Sequence, residues 1–256
     1  MAVGWSGLGL IVIAAMLSEF LARSALGAEH AGPALSPPSE AFPFGTDLLG
    51  RDLFSETLYG LSTTVAQAGE AAVLAVLAGG LLGFITAHLP RPSGASLRWA
   101  VGVFAAIPPL LLAILVIAAT TRGMAGLAAG LAAAPLAFVR AFDRARKGNF
   151  SAHSAYARAT GISASALLNR DLAYEFRDTF LPTVARALAA VAIILSTMSF
   201  LGFGAIPPHR DLGLMIAAAQ RSYFQAWWTA AFPALALMAF ILLARLAAGL
   251  DEGERP

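Results

Sequence analysis

The chain has 256 residues, of which 58% are hydrophobic and only 12% are charged, and its mean hydropathy is +0.73. Soluble domains carry about twice that share of charge, and a soluble globule of this length could not bury so much apolar surface. The net charge of +2 does not indicate nucleic-acid binding, because the basic residues are scattered between apolar runs rather than clustered with aromatic ones. The absence of cysteine excludes disulfides and thiolate metal sites. Composition therefore predicts an integral membrane protein.

A membrane helix needs about 20 mostly apolar residues, because the hydrocarbon core is roughly 30 Å thick and each helical residue rises about 1.5 Å. Six segments meet this demand, so we predict an all-α, six-span helical bundle. In chain order they are approximately Val3 to Leu21, Val65 to Leu89, Trp99 to Thr121, Met124 to Phe142, Val184 to Phe203 and Ala226 to Ala248. The fourth is rich in Ala and Gly, whose small side chains let membrane helices approach closely.

The first segment has a second interpretation as a signal peptide, because Ala25-Leu26-Gly27 after an apolar run resembles a cleavage site. The positively charged region that normally precedes such a run is missing, so we expect the segment to remain as a span. A removed leader would leave five spans and place the two chain ends on opposite sides.

The distribution of positive charge predicts the orientation, since Lys and Arg are retained in cytoplasmic loops. With a cytoplasmic N-terminus, the inner side receives twelve basic residues and the outer side five. The outer ones are Arg23, Arg51, Arg122, Arg210 and Arg221. This asymmetry predicts six crossings with both chain ends in the cytoplasm.

The chain is expected to form a single membrane domain over residues 1–256. Residues 1–64 would hold the first span, an outer linker and an interfacial helix, and the linker from Glu29 to Pro43 is rich in Pro, Ala and Ser, which indicates little regular structure. Residues 65–250 would form a five-span core. Its longest inner loop runs from about 143 to 181.

Two kinds of chemistry are missing from the sequence. The only lysine, Lys147, is followed by Gly148 and Asn149, so the chain lacks the GxxxxGK[ST] loop with which nucleotide-hydrolysing proteins hold phosphates. The four histidines are far apart and form no i,i+4 pair, so no metal site is predicted.

Glu70 is the one acid well inside a predicted span, and an ionisable group at membrane depth is a functional candidate by default. It can face a substrate or ion path. It can also reach water near the outer end of its helix or pair with a neighbouring helix.

A first distinctive motif, FGTDLLGRD, covers Phe44 to Asp52. Asp47 can cap the start of a helix, Arg51 follows at i+4, and the neighbouring leucines offer an apolar side to a membrane interface. These residues predict an interfacial helix. The candidate residues of this outer motif are Gly45, Thr46, Asp47, Gly50, Arg51 and Asp52.

A second motif begins with SFLGFG from Ser199 to Gly204, continues with Pro207-Pro208 and LGLM from Leu212, and ends with FPAL from Phe232. Its glycines and prolines are expected to break the helix at the outer face and to build a turn before a re-entrant or interfacial piece.

As strings, these motifs resemble a known family. GTDxLGRD followed by Leu58-Tyr59-Gly60 is similar to the signature between the first two spans of the second permease subunit of dipeptide, oligopeptide and nickel ATP-binding-cassette (ABC) importers, and the second motif is similar to the end of those permeases. The resemblance covers over four-fifths of the chain, from residue 44 onward. It implies the six-span bundle of a type I importer permease in a bacterial inner membrane, and it leaves the substrate open among peptides, nickel complexes and other small solutes.

The resemblance also implies an ATPase-coupling helix in the inner loop between the fourth and fifth spans. The family pattern is EAAxxxG with LP downstream, and the matching stretch here is AYARATG from Ala155 to Gly161, with Leu181-Pro182 after a longer gap. Alanine stands at the glutamate position. The implied coupling residues are Ala155, Ala157, Arg158, Gly161, Leu181 and Pro182.

The complex implied by the resemblance contains this chain, a second homologous permease, two ABC ATPase subunits and an extracytoplasmic substrate-binding protein. ATP and Mg²⁺ would bind to the ATPase subunits, and this chain would bind no cofactor. The residues proposed for the path are Met198, Ser199, Phe200 and Glu70, although the first three can equally be interhelical packing residues.

Two functions of other classes stay open at this point. One is a stand-alone channel or secondary carrier, which would have no reason to keep a docking surface in its long inner loop. The other is a structural subunit that scaffolds a membrane enzyme. The broken outer connection argues against a scaffold, because irregular backbone at membrane depth normally lines a cavity.

Overall fold

The computed structural model describes residues 2–87, 89–120, 124–149, 181–205 and 209–249. Within these ranges the regular secondary structure is helical, with one isolated β-bridge between Thr46 and Asp52, which confirms the all-α prediction. In chain order the helices are α1 (Ala2–Met16), α2 (Ser18–Leu21), α3 (Leu53–Ala87), α4 (Arg91–Ala105), α5 (Pro109–Ala119), α6 (Ala125–Asn149), α7 (Leu181–Phe200), α8 (Leu212–Ala219) and α9 (Trp228–Ala248).

Four of these helices, α3, α6, α7 and α9, are long and apolar enough to cross a membrane. The bent pair α4 and α5 would make a fifth span if it crosses as one unit. The apolar part of α1, Val3–Met16, is shorter than a full span. The described residues therefore contain four or five candidate spans, and the predicted number of six is not confirmed.

The segment Trp99 to Thr121, predicted as one span, is broken into α4 and α5, whose axes differ by 83°. The break falls at Pro108 and Pro109, which lack the N–H groups that would continue the helical hydrogen bonds. The sequence prediction counted apolar residues and did not include this bend, and a single crossing by the bent pair stays a prediction.

Helix α3 begins at Leu53 and continues without interruption to Ala87, so it starts well before the predicted Val65. The separate interfacial helix predicted from Asp47 onward is therefore wrong. Residues Val76–Leu81 of α3 form a π-helical stretch, in which an extra residue is fitted into the helix.

The π-helical stretch lies where α3 packs most closely on α6. A Cβ atom placed on Gly79 would lie 2.0 Å from the Ala134 carbonyl oxygen, and one on Gly83 would lie 2.3 Å from the Phe138 carbonyl oxygen. The two glycines are four residues apart and share one helix face. They let the two backbones touch, which is the usual way for membrane helices to gain packing energy.

The start of α1 and the end of α9 lie at the same end of the bundle. Helix α1 packs along α9, and a Cβ atom on Gly4 would lie 2.2 Å from the backbone nitrogen of Ala247. At the opposite end, the Trp228 indole nitrogen at the start of α9 donates a hydrogen bond to the Thr46 carbonyl oxygen. The FGTDLLGRD motif thus lies at the end of the bundle away from the start of α1 and the end of α9.

Helix α8 begins at Leu212, where the second motif predicted a short piece after its turn. Pro207 and Pro208 lie outside the described residues, and the re-entrant or interfacial position of α8 stays a prediction. It packs between α7 and α9. A Cβ atom on Gly213 would lie 2.3 Å from the Ser196 carbonyl oxygen, so glycine is needed where α8 meets α7.

Candidate functional site

The first candidate site is the outer motif, where two aspartates have different roles. The Asp47 carboxylate accepts hydrogen bonds from the backbone N–H groups of Leu49 at 2.8 Å and Arg51 at 3.0 Å, which closes a turn. Asp52 is the residue that caps α3, since its carboxylate accepts from the N–H groups of Phe54 and Ser55. The prediction that Asp47 caps a helix is therefore wrong, because the backbone becomes helical only after Asp52.

Hydrogen bonds and close backbone contacts fix the conformation of Thr46 and of the two glycines in the FGTDLLGRD motif. Thr46 is completely buried, and its hydroxyl donates to the Pro33 carbonyl oxygen at 2.6 Å and accepts from the Ser36 N–H at 2.8 Å. Gly50 has a φ of +68°, and a Cβ atom there would lie 2.3 Å from the Gly32 carbonyl oxygen. Gly45 likewise has a positive φ of +75°. Both glycine positions need a backbone that other residues rarely adopt.

The start of α3 also fixes the outer linker. The Ser55 hydroxyl accepts hydrogen bonds from the N–H groups of Arg23 at 2.9 Å and Ser24 at 3.1 Å, and the Glu56 carboxylate accepts from the Gly27 N–H at 2.8 Å. Arg51 forms an ion pair with Glu29. The linker has no regular secondary structure, as predicted, but these contacts give it a defined course.

Arg210 joins the two sequence motifs. Its guanidinium group lies 3.6 Å from the buried Glu56 carboxylate and 3.9 Å from the Asp47 carboxylate. The neighbouring residue, Asp211, caps α8 by accepting from the Leu214 N–H at 2.9 Å, and it also accepts from the Ser199 hydroxyl at 2.7 Å. The start of α3, the end of α7 and the start of α8 are therefore linked through one polar cluster.

Sequence reasoning singled out both motifs but missed four polar residues of this cluster, namely Glu56, Thr64, Arg210 and Asp211. The Thr64 hydroxyl accepts a hydrogen bond from the Leu212 N–H at 3.1 Å, which fixes α8 on α3. Asp211 was detectable as an aspartate directly before an apolar helical run. Nothing in the sequence indicated that Arg210 would meet Asp47, since the two residues are far apart in the chain.

The four residues proposed for the path differ in their surroundings. Met198 and Ser199 are buried among the helices of this chain, whereas Phe200 is 40% exposed and Glu70 is exposed on the surface of α3. No observation places a solute beside any of them. Their role in a path stays a prediction.

Most of the predicted coupling loop lies outside the described residues, including Ala155, Ala157, Arg158 and Gly161. Leu181 begins α7, and Pro182 is buried in its first turn, where the missing N–H has no structural consequence. At the start of the loop, Arg98 of α4 holds Asp143 of α6 through two hydrogen bonds of 2.8 and 3.1 Å.

A second candidate site is a cleft of about 40 Å³ between α5, α6 and α7. Its walls are mainly apolar and include Pro109, Ala137, Ala190 and Ile194. Two arginines, Arg140 and Arg186, also line it. Polar atoms contribute only a small part of the surface of this cleft.

Among the described residues, no three His, Asp or Glu side chains come together in a way that could hold a metal ion. The polar residues of the outer cluster contact one another and the backbone. Their arrangement positions helices.

No protein-family model matches the chain. Among curated proteins, it is 26% identical to the di/tripeptide transport system permease protein DppC of Pseudomonas aeruginosa, over 93% of this chain and 81% of that protein. It is 27% identical to the probable D,D-dipeptide transport system permease protein DdpC of Escherichia coli, over 90% and 78%. It is 29% identical to the peptide transport system permease protein SapC of Haemophilus influenzae, over 91% and 82%. These similarities extend along nearly the whole chain.

Proposed function

We propose that this chain is a permease of the peptide and dipeptide transport kind and that it forms half of the membrane path of an ABC importer for peptides. The observation that carries the proposal is the similarity to three named peptide permeases along about nine-tenths of the chain. The all-helical bundle with its apolar, membrane-length helices supports a transport subunit.

The proposed topology has six crossings with both chain ends in the cytoplasm. The bent pair α4 and α5 would be one crossing, and α1 with α2 would be another. The contact between Gly4 and Ala247 supports two ends on the same side. The basic residues Arg140, Arg144 and Arg146 near the end of α6 support the cytoplasm as that side.

The proposed partners are a second homologous permease, two ATPase subunits and an extracytoplasmic substrate-binding protein. This chain would be non-catalytic, and ATP with Mg²⁺ would bind to the ATPase subunits. ATP binding would close the ATPase pair, and the coupling loop after α6 would pass this movement to the spans, which then open alternately to each side.

The outer polar cluster fits a mechanical role in this cycle. Asp47, Glu56, Arg210 and Asp211 bind the outer ends of three helices to one another. Several charge-assisted contacts in a partly buried cluster favour one relative position of these three helices over others. We infer that the outer ends of α3, α7 and α8 move as one body when the path opens.

The proposed function is tested by purifying the tagged chain in mild detergent, identifying the proteins that co-purify by mass spectrometry, and measuring ATP hydrolysis. We expect a second permease and ATPases with phosphate-binding loops, and hydrolysis that increases when the substrate-binding protein and peptide are added. Recovery of the chain alone in several detergents, with no associated ATPase, would contradict the proposal and favour a channel or carrier.

A further inference from the structure

The break between α4 and α5 exposes non-helical backbone about halfway along a candidate span. Ala106, Ile107 and Pro108 are all exposed on the surface of the chain. Since Pro109 has no N–H, the Ala105 carbonyl group loses the donor that a continuous helix would supply, whereas the Phe104 carbonyl oxygen accepts from the Ile107 N–H at 3.1 Å. Such backbone is tolerated at membrane depth only where it meets protein or a water-filled cavity. This face of the bundle therefore does not face lipid.

The cleft between α5, α6 and α7 lies directly beside this break, since Pro109 belongs to both. The part of the cleft that Arg140 and Arg186 line lies toward the end of the bundle that we assign to the cytoplasm. There the Arg186 guanidinium group donates a hydrogen bond to the carbonyl oxygen of Ala248, at the inner end of α9. Ile194 lies eight residues further along α7, which corresponds to about 12 Å toward the middle of the membrane.

The charged residues that line the cleft are Arg140 and Arg186, and a guanidinium group pairs best with an anion that offers two coplanar acceptors. Arg140 is exposed, and none of the described residues forms a hydrogen bond or ion pair with its guanidinium group. Arginine has five N–H donors in a fixed fork that matches the two oxygens of a carboxylate. Arg186 adds a second positive charge in the same cleft. The volume of about 40 Å³ admits a carboxylate group or a few water molecules, and the rest of a bound solute would lie outside it.

We propose that Arg140, with Arg186 beside it, binds the terminal carboxylate of the transported peptide in the cytoplasmic half of the path. This inference rests on the proposed function, because it takes the solute to be a peptide. The site would act after the peptide has left the substrate-binding protein. It would hold the peptide by the one group that every peptide with a free C-terminus carries.

The natural chain has no cysteine, so single cysteines can report on the cleft without background labelling of this chain. The probe is Ala190→Cys, which lies in the wall of the cleft, and the matched control is Leu115→Cys, which is exposed on α5 outside the cleft. The complete complex is placed in nanodiscs of zwitterionic lipid without ATP or binding protein. The rate of modification by a water-soluble maleimide is measured with trialanine or with its C-terminal amide.

We expect the maleimide to modify the Ala190→Cys variant, trialanine to slow the modification at least threefold, and the amide to have no effect. When Arg140→Gln is added to this variant, the trialanine concentration needed for protection should rise about tenfold, and Arg140→Lys should restore part of the loss. Arg245→Gln, which removes an exposed arginine outside the cleft, should change nothing. Trialanine should not protect the Leu115→Cys variant.

Three results would overturn the inference. They are an Ala190→Cys variant that the water-soluble reagent does not modify, equal protection by trialanine and its amide, and unchanged protection in Arg140→Gln. Protection by anionic phospholipid in place of peptide would likewise assign the cleft to lipid. The assay needs no ATP, so it tests the Arg140 site separately from transport. If trialanine protects but its amide does not, and the complex shows no ATP-driven uptake, the proposed function alone would be refuted. Uptake without selective protection would refute the Arg140 site alone.

Discussion

The Ser199 hydroxyl donates a 2.7 Å hydrogen bond to the Asp211 carboxylate, so the last turn of α7 is fixed to the cap of α8. Both side chains are buried, and Asp211 also accepts from the backbone N–H groups of Leu214 and Ala205. One carboxylate thus satisfies three donors at the end of the bundle that holds the FGTDLLGRD motif. Removing it leaves buried donors without an acceptor.

We expect Asp211→Ala to destabilise the protein by about 2 to 4 kcal/mol, since it removes a helix cap and leaves the Ser199 hydroxyl unpaired. The midpoint of thermal unfolding in detergent measures the effect. Asp211→Asn keeps an acceptor oxygen and should cost less, and Ser199→Ala should cost about 1 kcal/mol. A midpoint for Asp211→Ala equal to that of the natural chain would show that this cluster does not hold the helices together.

The close contact between α3 and α6 predicts a large difference between two glycines of the same helix. Gly79→Ala places a methyl group 2.0 Å from the Ala134 carbonyl oxygen, so the two backbones must separate, at a cost of about 1 to 3 kcal/mol. Gly69→Ala is the matched control, because no atom lies within 4 Å of its Cβ position. That change should be neutral or stabilise the helix by up to about 1 kcal/mol. Equal unfolding temperatures for the two variants would contradict the close packing.

The outer motif predicts a similar contrast between Gly50 and Gly27. Both have a positive φ, +68° and +71°, so alanine at either position carries roughly 1 kcal/mol or more of backbone strain. Only at Gly50 would the new Cβ atom also lie 2.3 Å from a carbonyl oxygen, that of Gly32. We therefore expect Gly50→Ala to loosen the linker, measured as faster proteolysis between residues 22 and 45. Gly27→Ala should change the cleavage rate much less, and the reverse order would contradict the structure.

The ion pair between Arg98 and Asp143 has good geometry but is partly exposed, with side-chain exposures of 35% and 46%. Solvent screens such pairs, so a double-mutant cycle with Arg98→Gln and Asp143→Asn should give a coupling energy of at most about 1 kcal/mol. Its position at the start of the coupling loop predicts a larger effect on transport. We expect Asp143→Asn to lower the ratio of peptide uptake to ATP hydrolysis. An unchanged ratio would limit the pair to a minor structural role.

The coupling loop is tested by Gly161→Glu, which adds a bulky charge where the family resemblance implies a small residue against the ATPase. We expect weaker co-purification of the ATPase subunits or hydrolysis without uptake. Ala152→Glu, earlier in the same loop and outside the resembling stretch, is the control for an added charge. Normal assembly and uptake in Gly161→Glu would count against docking through this stretch.

Local patterns in the sequence predicted the helices because their cause is local. Apolar runs of about 20 residues predict membrane helices wherever they occur. The short helix α8, inside the second motif, was also predictable, since glycines and prolines interrupt a helix regardless of what surrounds it. The same reasoning could have located the bend at Pro108 and Pro109, but a count of apolar residues does not detect a break that lies inside an apolar run.

Which polar residues meet was decided by the tertiary structure alone. Asp47 and Asp52 are equally good helix caps by residue type, and only the backbone course of the motif makes Asp52 the cap and Asp47 the closure of a turn. Arg210 reaches Asp47 and Glu56 only because α3 and α8 pack side by side. The sequence by itself predicted an all-α membrane protein and, through its two motifs, a permease. Packing of distant segments determined the outer cluster and the arginine-lined cleft. Their contacts join residues far apart in the chain, and no local sequence pattern indicates that such residues meet.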